Sequence, residues 1–175
     1  MSELVILVDE NDNEIGTMEK MQAHREAILH RAFSVFIFNS KGELMLQQRA
    51  FDKYHSPGLW TNTCCSHPRP GETTNDAAHR RMIEEMGFDC HFDEAFGFLY
   101  KAPFSNELTE HEYDHVFIGF SDQLPNINKE EVESYRMADL KTIREEINQN
   151  PGSFTEWFKI AFDRVEQHFN EKKQK

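Results

Sequence analysis

The chain has 175 residues and a mass of 20.6 kDa, enough for one domain with a real hydrophobic core and no need of disulfide staples. Hydrophobic residues make up 38% and Phe alone supplies 15 residues, so disorder along the whole length is excluded. Nineteen Lys and Arg against 31 Asp and Glu leave a net charge of −12, which disfavours nucleic acid as a partner and requires any anionic ligand to find a local basic pocket.

The longest apolar runs, Leu4–Val8 and Ala32–Phe38, fall far short of the ~20 residues of a membrane-spanning helix, so no membrane partner is expected. The first residues show no basic region followed by a long apolar segment, and no signal peptide is expected. Cys64, Cys65 and Cys90 are too few and wrongly spaced for a disulfide framework, which predicts a reducing compartment, the cytoplasm.

Leu4–Val8 reads as a first strand ending in the polar turn Asp9-Glu10-Asn11-Asp12-Asn13. Met18–Ala27 has helical propensity with poor periodicity and is left unassigned. Arg31–Phe38 and Glu43–Gln48 predict a hairpin around Asn39-Ser40-Lys41-Gly42. The Pro- and Gly-punctuated stretch 50–71 predicts a long irregular loop, and loops of that length are usually functional. A helix follows, capped by Thr73 or Thr74, with Ala77, Met82 and Met86 on its apolar side and Gly87 as its stop. Strands are predicted near Ala95–Tyr100 and over Glu112–Phe120, and the rest is expected to be mainly helical. In Phe154–Phe169 the residues Trp157, Phe158, Ile160, Ala161, Val165 and Phe169 lie near one helical face. Interspersed strands and helices predict an α/β or α+β class, and the hairpins argue for a mixed sheet.

Two groups of residues carry possible chemistry. On the helix ending at Gly87, Arg80 and Arg81 precede Glu84 and Glu85 at i, i+4 spacing, which by itself reads as a solvated, ion-paired face. Of the nine histidines, His91 and His168 receive no role. His24, His30 and His67 lie beside strand-like or loop segments, and Glu110 and Glu112, two apart on a strand, project from one face. Three imidazoles and two carboxylates suit Mn²⁺, Zn²⁺ or Mg²⁺. From spacing alone, unconnected surface and core histidines fit as well, because the five residues come from distant segments.

The stretch 64–87, CCSHPRPGETTNDAAHRRMIEEMG, resembles the Nudix signature. Glu72, Arg80, Glu84, Glu85 and Gly87 match it. Ser66 stands where its first Gly belongs, and Arg81 replaces the acidic partner of the signature Arg, a principal metal ligand in Nudix hydrolases. The set of His24, His30, the run Pro57-Gly58-Leu59-Trp60-Thr61-Asn62-Thr63-Cys64-Cys65-Ser66-His67-Pro68, and Glu110-His111-Glu112 resembles the type 1 isopentenyl diphosphate isomerases, over about residues 3–160. Within that run the Trp-Thr-Asn-x-Cys-x-Ser-His-Pro pattern is highly specific.

That resemblance implies a single Nudix-like catalytic domain over 1–175, a mixed β-sheet sandwiched between helices, with an N-terminal segment supplying metal ligands and a helical C-terminal part. It implies a small-molecule diphosphate substrate and an allylic double-bond shift. Cys65 and Glu112 would stand on opposite faces of the substrate, with Tyr100 beside Glu112 and Trp157 as the active-site Trp. His24, His30, His67, Glu110 and Glu112 would hold Mn²⁺, Zn²⁺ or Mg²⁺. Glu85 and the Cys65 carbonyl would hold a Mg²⁺ arriving with the diphosphate, and Lys20, Arg49, Lys53 and Arg81 would bind that diphosphate. Cys64 is assigned no role beyond a small buried side chain. The expected assembly is a monomer or weak dimer. A Nudix-type pyrophosphohydrolase is the alternative.

Overall fold

The computed structural model describes residues 3–173. β1 (Leu4–Val8) pairs antiparallel with β2 (Glu14–Glu19), and the short helix α1 (Lys20–Arg25) follows at once, capped by the Glu19 carboxylate. Met18–Ala27, unassigned from sequence, therefore divides between a strand end and a helix too brief to show periodicity. β3 (His30–Phe38) is the central strand and is buried almost throughout, which its apolar run requires. β4 (Glu43–Arg49) returns from it across the expected hairpin loop.

Within the predicted irregular stretch the structure forms two short strands, β5 (Trp60–Thr61) on β4 and β6 (Cys64–Ser66) on β3. Strands of two and three residues leave no alternation to read, and only their tertiary partners define them. β7 (Phe92–Pro103) and β8 (Thr109–Phe120) form a long antiparallel hairpin, and β8 runs parallel to β3 in register from His30–Glu112 to Phe38–Phe120. β9 (Val132–Asp139), in a region expected to be helical, pairs with β4. Only Val132 and Ala138 are buried, Glu133–Met137 are half-buried and Asp139 is exposed, so no run of buried apolar residues announces it. With β3 and β8 parallel and the other named strand pairs antiparallel, the sheet is mixed, as expected.

Helices cover both faces. α2 (Thr74–Arg81), capped by the Thr73 hydroxyl, continues into a π-helical turn (Met82–Met86), and together they pack Ala77, Ala78, Met82 and Met86 onto Phe33, Val35 and Ile37. α3 (Leu140–Gln149) and α4 (Glu156–Lys173) cover Phe36, Phe38, Val116 and Ile118 on the other face. On α4 the predicted stripe holds except at Ile160, which is 50% exposed. Trp157 leaves the main core for a separate cluster with Tyr100 and Ala102, beside Cys65. Among the described residues no helix is long and apolar enough to cross a membrane.

Gly87 ends the π turn at φ +71°, and a Cβ there would lie 2.2 Å from the Asn126 carbonyl oxygen. Both left-handed strain and a backbone clash oppose a side chain. Gly87→Ala should therefore cost about 3 kcal/mol, a fall in Tm of roughly 6–12 °C for a chain of this size. An unchanged melting curve would show that the Asn126 segment yields freely.

Candidate active site

Strand alternation sorts the functional side chains before any chemistry does. On β3, His30 and Ser34 share the face of Phe36 and Phe38. On β8, Glu110, Glu112 and Asp114 share the face of Val116 and Ile118. Cys65 takes the same face of β6, whereas Cys64 points oppositely into the core under α2. The result is a pocket at one end of the sheet, beyond the apolar core beneath α4. Its walls include Cys65, His67, Glu85, Glu110, Glu112 and Trp157, and Lys20, Arg49, Lys53 and Arg81 also reach it.

The donor atoms of His24, His30, His67, Glu110 and Glu112 lie within 4.8 Å of one another, and all five residues are buried. The grouping that spacing left open is thus assembled by α1, β3, the end of β6 and β8. Its hydrogen bonding fits a divalent ion. His24 Nδ1 donates to the Lys20 carbonyl at 2.7 Å and His30 Nδ1 to the Ile28 carbonyl at 2.8 Å. A carbonyl only accepts, so both δ nitrogens carry hydrogen, and the neutral rings turn bare Nε2 lone pairs inward. Those nitrogens sit 3.2 Å from Glu110 Oε1 and Glu112 Oε2, respectively. Acceptor facing acceptor at that distance is repulsive unless a proton or a cation lies between them. Glu110 Oε2 is buried without a hydrogen-bond partner among the described residues.

Without an ion, protons fill the role. Burial works to lower His24, yet its bond to Glu110 and that carboxylate's charge hold it above the usual value. Burial and the charge of Glu110 push Glu112 up, and its contacts with Glu112, His24 and His55 hold Glu110 down against burial. A cation of charge +2 would draw both carboxylates toward the anion.

The Tyr100 hydroxyl donates to Glu112 Oε1, and His67 Nε2 meets Glu112 Oε2 at 2.6 Å. Burial pushes the Cys65 thiol well up, opposed by the charge of Arg49. The Trp157 indole N–H donates to Asn62 Oδ1 at 3.2 Å, and Arg49 stands 5.4 Å from the ring centroid. Away from this apolar corner, Lys20 pairs with Glu3 at 3.1 Å, Lys53 with Glu131, and Arg81 with Glu84, Glu85 and Glu131. One end of the pocket is aromatic and thiol-lined with Arg49 over Trp157, and Lys20, Lys53 and Arg81 lie away from that corner.

Arg80 bonds Glu72 at 2.7 Å and Glu84 at 3.3 Å, so the predicted i, i+4 pair forms but the tie to the preceding loop is shorter. Arg81 likewise reaches Glu85 at 3.4 Å and Glu84 at 2.7 Å. His91 is exposed and pairs with Asp93, and His168 stacks on Phe96, both away from the pocket. Cys64 is buried as expected, but its thiol also donates to Glu85 Oε2 at 2.8 Å. Sequence reasoning missed Tyr54, His55 and Asp114, and quoted Asn62 within the Trp-Thr-Asn pattern without giving it a role. Asp114 had a signal, since it extends the Glu110, Glu112 alternation by one step.

Solved structures agree on the fold. A protein of Deinococcus radiodurans superposes with TM-score 0.77 at 20% identity, covering 93% of this chain and 98% of that one. A MutT protein of Methanosarcina mazei gives 0.66 at 19% identity, covering 84% and 96%. The model of the NUDIX domain family matches residues 28–158, which sets the class. Curated relatives narrow it. Isopentenyl-diphosphate Delta-isomerase 2 of Photorhabdus laumondii is 53% identical, over 91% of this chain and 90% of its own length. The isopentenyl-diphosphate Delta-isomerases of Aromatoleum aromaticum (isomerase 1) and Pectobacterium atrosepticum are 52% and 51% identical, over 94% and 92% of this chain and 93% and 90% of their own lengths. The chain belongs to the isopentenyl-diphosphate Delta-isomerase family.

Proposed function

We propose that the chain interconverts isopentenyl diphosphate and dimethylallyl diphosphate by proton addition and removal through a tertiary carbocation, as an enzyme of isoprenoid biosynthesis. The observation that carries the reading is the pairing, in one pocket, of Cys65 on β6 with the Tyr100-bonded Glu112 on β8, beside Trp157.

An unactivated alkene is a weak base, so the acid must meet it at its terminal carbon with water excluded. The proton lost next comes from the carbon on the other side of the cationic centre. Cys65 and Glu112 are the two groups that give and take it from opposite faces. Because the reaction runs both ways, the acid of one direction is the base of the other. Tyr100 orients Glu112 through its hydroxyl. Lys20, Arg49, Lys53 and Arg81 clamp the diphosphate, so the hydrocarbon end lies among the aromatic side chains. The carbocation is held over the Trp157 face, because a closer anion would form a bond to it.

His24, His30, His67, Glu110 and Glu112 would hold Mn²⁺, Zn²⁺ or Mg²⁺, and Glu85 with the Cys65 carbonyl would hold Mg²⁺ together with the diphosphate. The first ion would supply charge that fixes the carboxylates in place and the second would neutralise diphosphate. The chain works as a single catalytic domain over 1–175, in the cytoplasm, as a monomer or weak dimer.

A pyrophosphohydrolase is the second reading, and Arg81 counts against it. Its guanidinium stands where the Nudix signature has an acidic metal ligand, so one carboxylate of a hydrolytic metal centre is replaced by a cation. Incubating the protein with isopentenyl diphosphate should give dimethylallyl diphosphate and no phosphate. Phosphate release without isomer would reverse the order of the two readings.

Trp157 separates packing from cation stabilisation. Trp157→Phe should retain part of the turnover, whereas Trp157→Leu should keep the fold and lose far more. A desolvated cation–π contact is worth ~2 kcal/mol, about thirtyfold in rate. If turnover in both variants falls only in step with melting temperature, the side chain serves packing alone.

A further inference from the structure

His55 lies outside the set of residues assigned above, yet it touches His24, Arg49, Glu110 and Trp157 of that set. It is buried, and its ring stacks flat on Phe104, with centroids 4.8 Å apart and planes 3° from parallel. Its edge meets the Trp157 indole at 5.8 Å and 87°, and it stacks on His24 at 5.8 Å. Its carbonyl accepts a hydrogen bond from Arg49 at 3.1 Å. Its Nε2 is in contact with Glu110 Oε1, off the line of a regular hydrogen bond.

The hydrogen-bond partners distinguish this ring from His24 and His30, which face the ion site. His24 and His30 spend Nδ1–H on backbone carbonyls and turn Nε2 inward as a lone pair. His55 Nδ1 instead lies 3.2 Å from the Ser56 hydroxyl, a group able to donate to it. Its Nε2 faces a carboxylate oxygen, which only accepts, so hydrogen belongs on Nε2. His55 thus carries the opposite tautomer, suited to orienting a ligand and unsuited to being one. Two imidazoles crowd Glu110 Oε1 while Oε2 has no partner.

We propose that His55 is a positioning residue: it braces the Glu110 carboxylate against the Phe104–Trp157 wall and so holds it in the orientation that presents it to the divalent ion. The inference rests on the metal centre proposed above. Groups that orient a ligand from behind typically change metal affinity ten- to a hundredfold when removed.

Two variants divide the roles. His55→Phe keeps an aromatic ring between Phe104 and Trp157 but removes the donor. His55→Gln removes the ring but offers an amide N–H near the place of Nε2. The metal-free full chain is titrated with Mn²⁺, and free ion is followed by its paramagnetic resonance signal. Melting temperatures are taken without metal, and kcat and KM for isopentenyl diphosphate at saturating Mn²⁺ and Mg²⁺. His55→Phe should bind Mn²⁺ about ten- to a hundredfold more weakly, with metal-free melting near that of the wild type. His55→Gln should recover most of the affinity even where its melting temperature falls, and KM should change less than kcat in both. Wild-type affinity in His55→Phe, or equal loss in both variants tracking melting temperature, would overturn the assignment. Should the wild-type chain itself bind no Mn²⁺ at this site, the metal centre falls first and His55 with it.

Discussion

Replacing Cys65 by Ala should lower kcat by about a thousandfold or more while KM for isopentenyl diphosphate stays within a few fold. General acid–base groups contribute roughly 10²–10⁴ each, and in the proposed reading this one serves a carbon centre beside aromatic side chains. Binding should survive, because in the proposed reading Lys20, Arg49, Lys53 and Arg81, and not the thiol, hold the diphosphate. Glu112→Gln should cost as much. It removes the titrating oxygen while leaving an amide able to meet Tyr100, but it also alters an ion ligand, so metal content must be measured beside turnover. The diagnostic comparison is solvent deuterium exchange. If the groups act on opposite faces, each variant should block exchange at one carbon more than at the other. Near wild-type turnover in Cys65→Ala would remove the two-face assignment. Attention would then pass to Cys64, although its thiol points under α2 toward Glu85, not toward the substrate corner.

What the sequence could reveal depended on how far each residue's role is local. The Glu110 and Glu112 pair declared a shared face because strand alternation is a two-residue property, and Asp114 follows by the same rule. The apolar run of β3 could only be a buried strand. Gly87 could only be a helix stop. β9 was invisible for the converse reason: a half-buried strand whose neighbour supplies the pairing carries no period of its own. Ile160 lies near the α4 stripe by spacing, yet it falls outside the arc of Phe158, Ala161 and Phe162 that packs on the sheet and is half-exposed. His55 shows the limit best. Nothing in Lys53-Tyr54-His55-Ser56 marks a ligand-orienting ring. Its meaning comes from Glu110 and Trp157, 55 and 102 positions away along the chain. The ligand set itself was a grouping that spacing could only suggest, and the resemblance to a known family, not periodicity, gathered it.

Chelation should abolish turnover and lower the melting temperature together, and Mn²⁺ with Mg²⁺ should restore both. The ligands come from α1, β3, the end of β6 and β8, so an ion would tie the N-terminal β1–β2–α1 segment to the central strands. Those ligands are dispersed in the unfolded chain, and binding free energy is then folding free energy. At a free ion concentration of ~1,000 Kd the gain is about 4 kcal/mol, or roughly 8–16 °C in Tm for a protein of this length. Two of the acceptor-to-acceptor contacts, His24 with Glu110 and His30 with Glu112, give the effect a site-specific form. In the metal-free chain they are tolerable only with protons between them, so taking up the ion should release protons. The measurement is calorimetric titration of the metal-free chain with Mn²⁺ in buffers of different ionisation enthalpy, beside melting curves with and without ion. His24→Gln should abolish most of the proton release and the ion-dependent rise in Tm. Full activity in a preparation shown by elemental analysis to lack metal, or ion binding that leaves the melting temperature unmoved, would mean that these five buried groups serve packing and polar bonding alone.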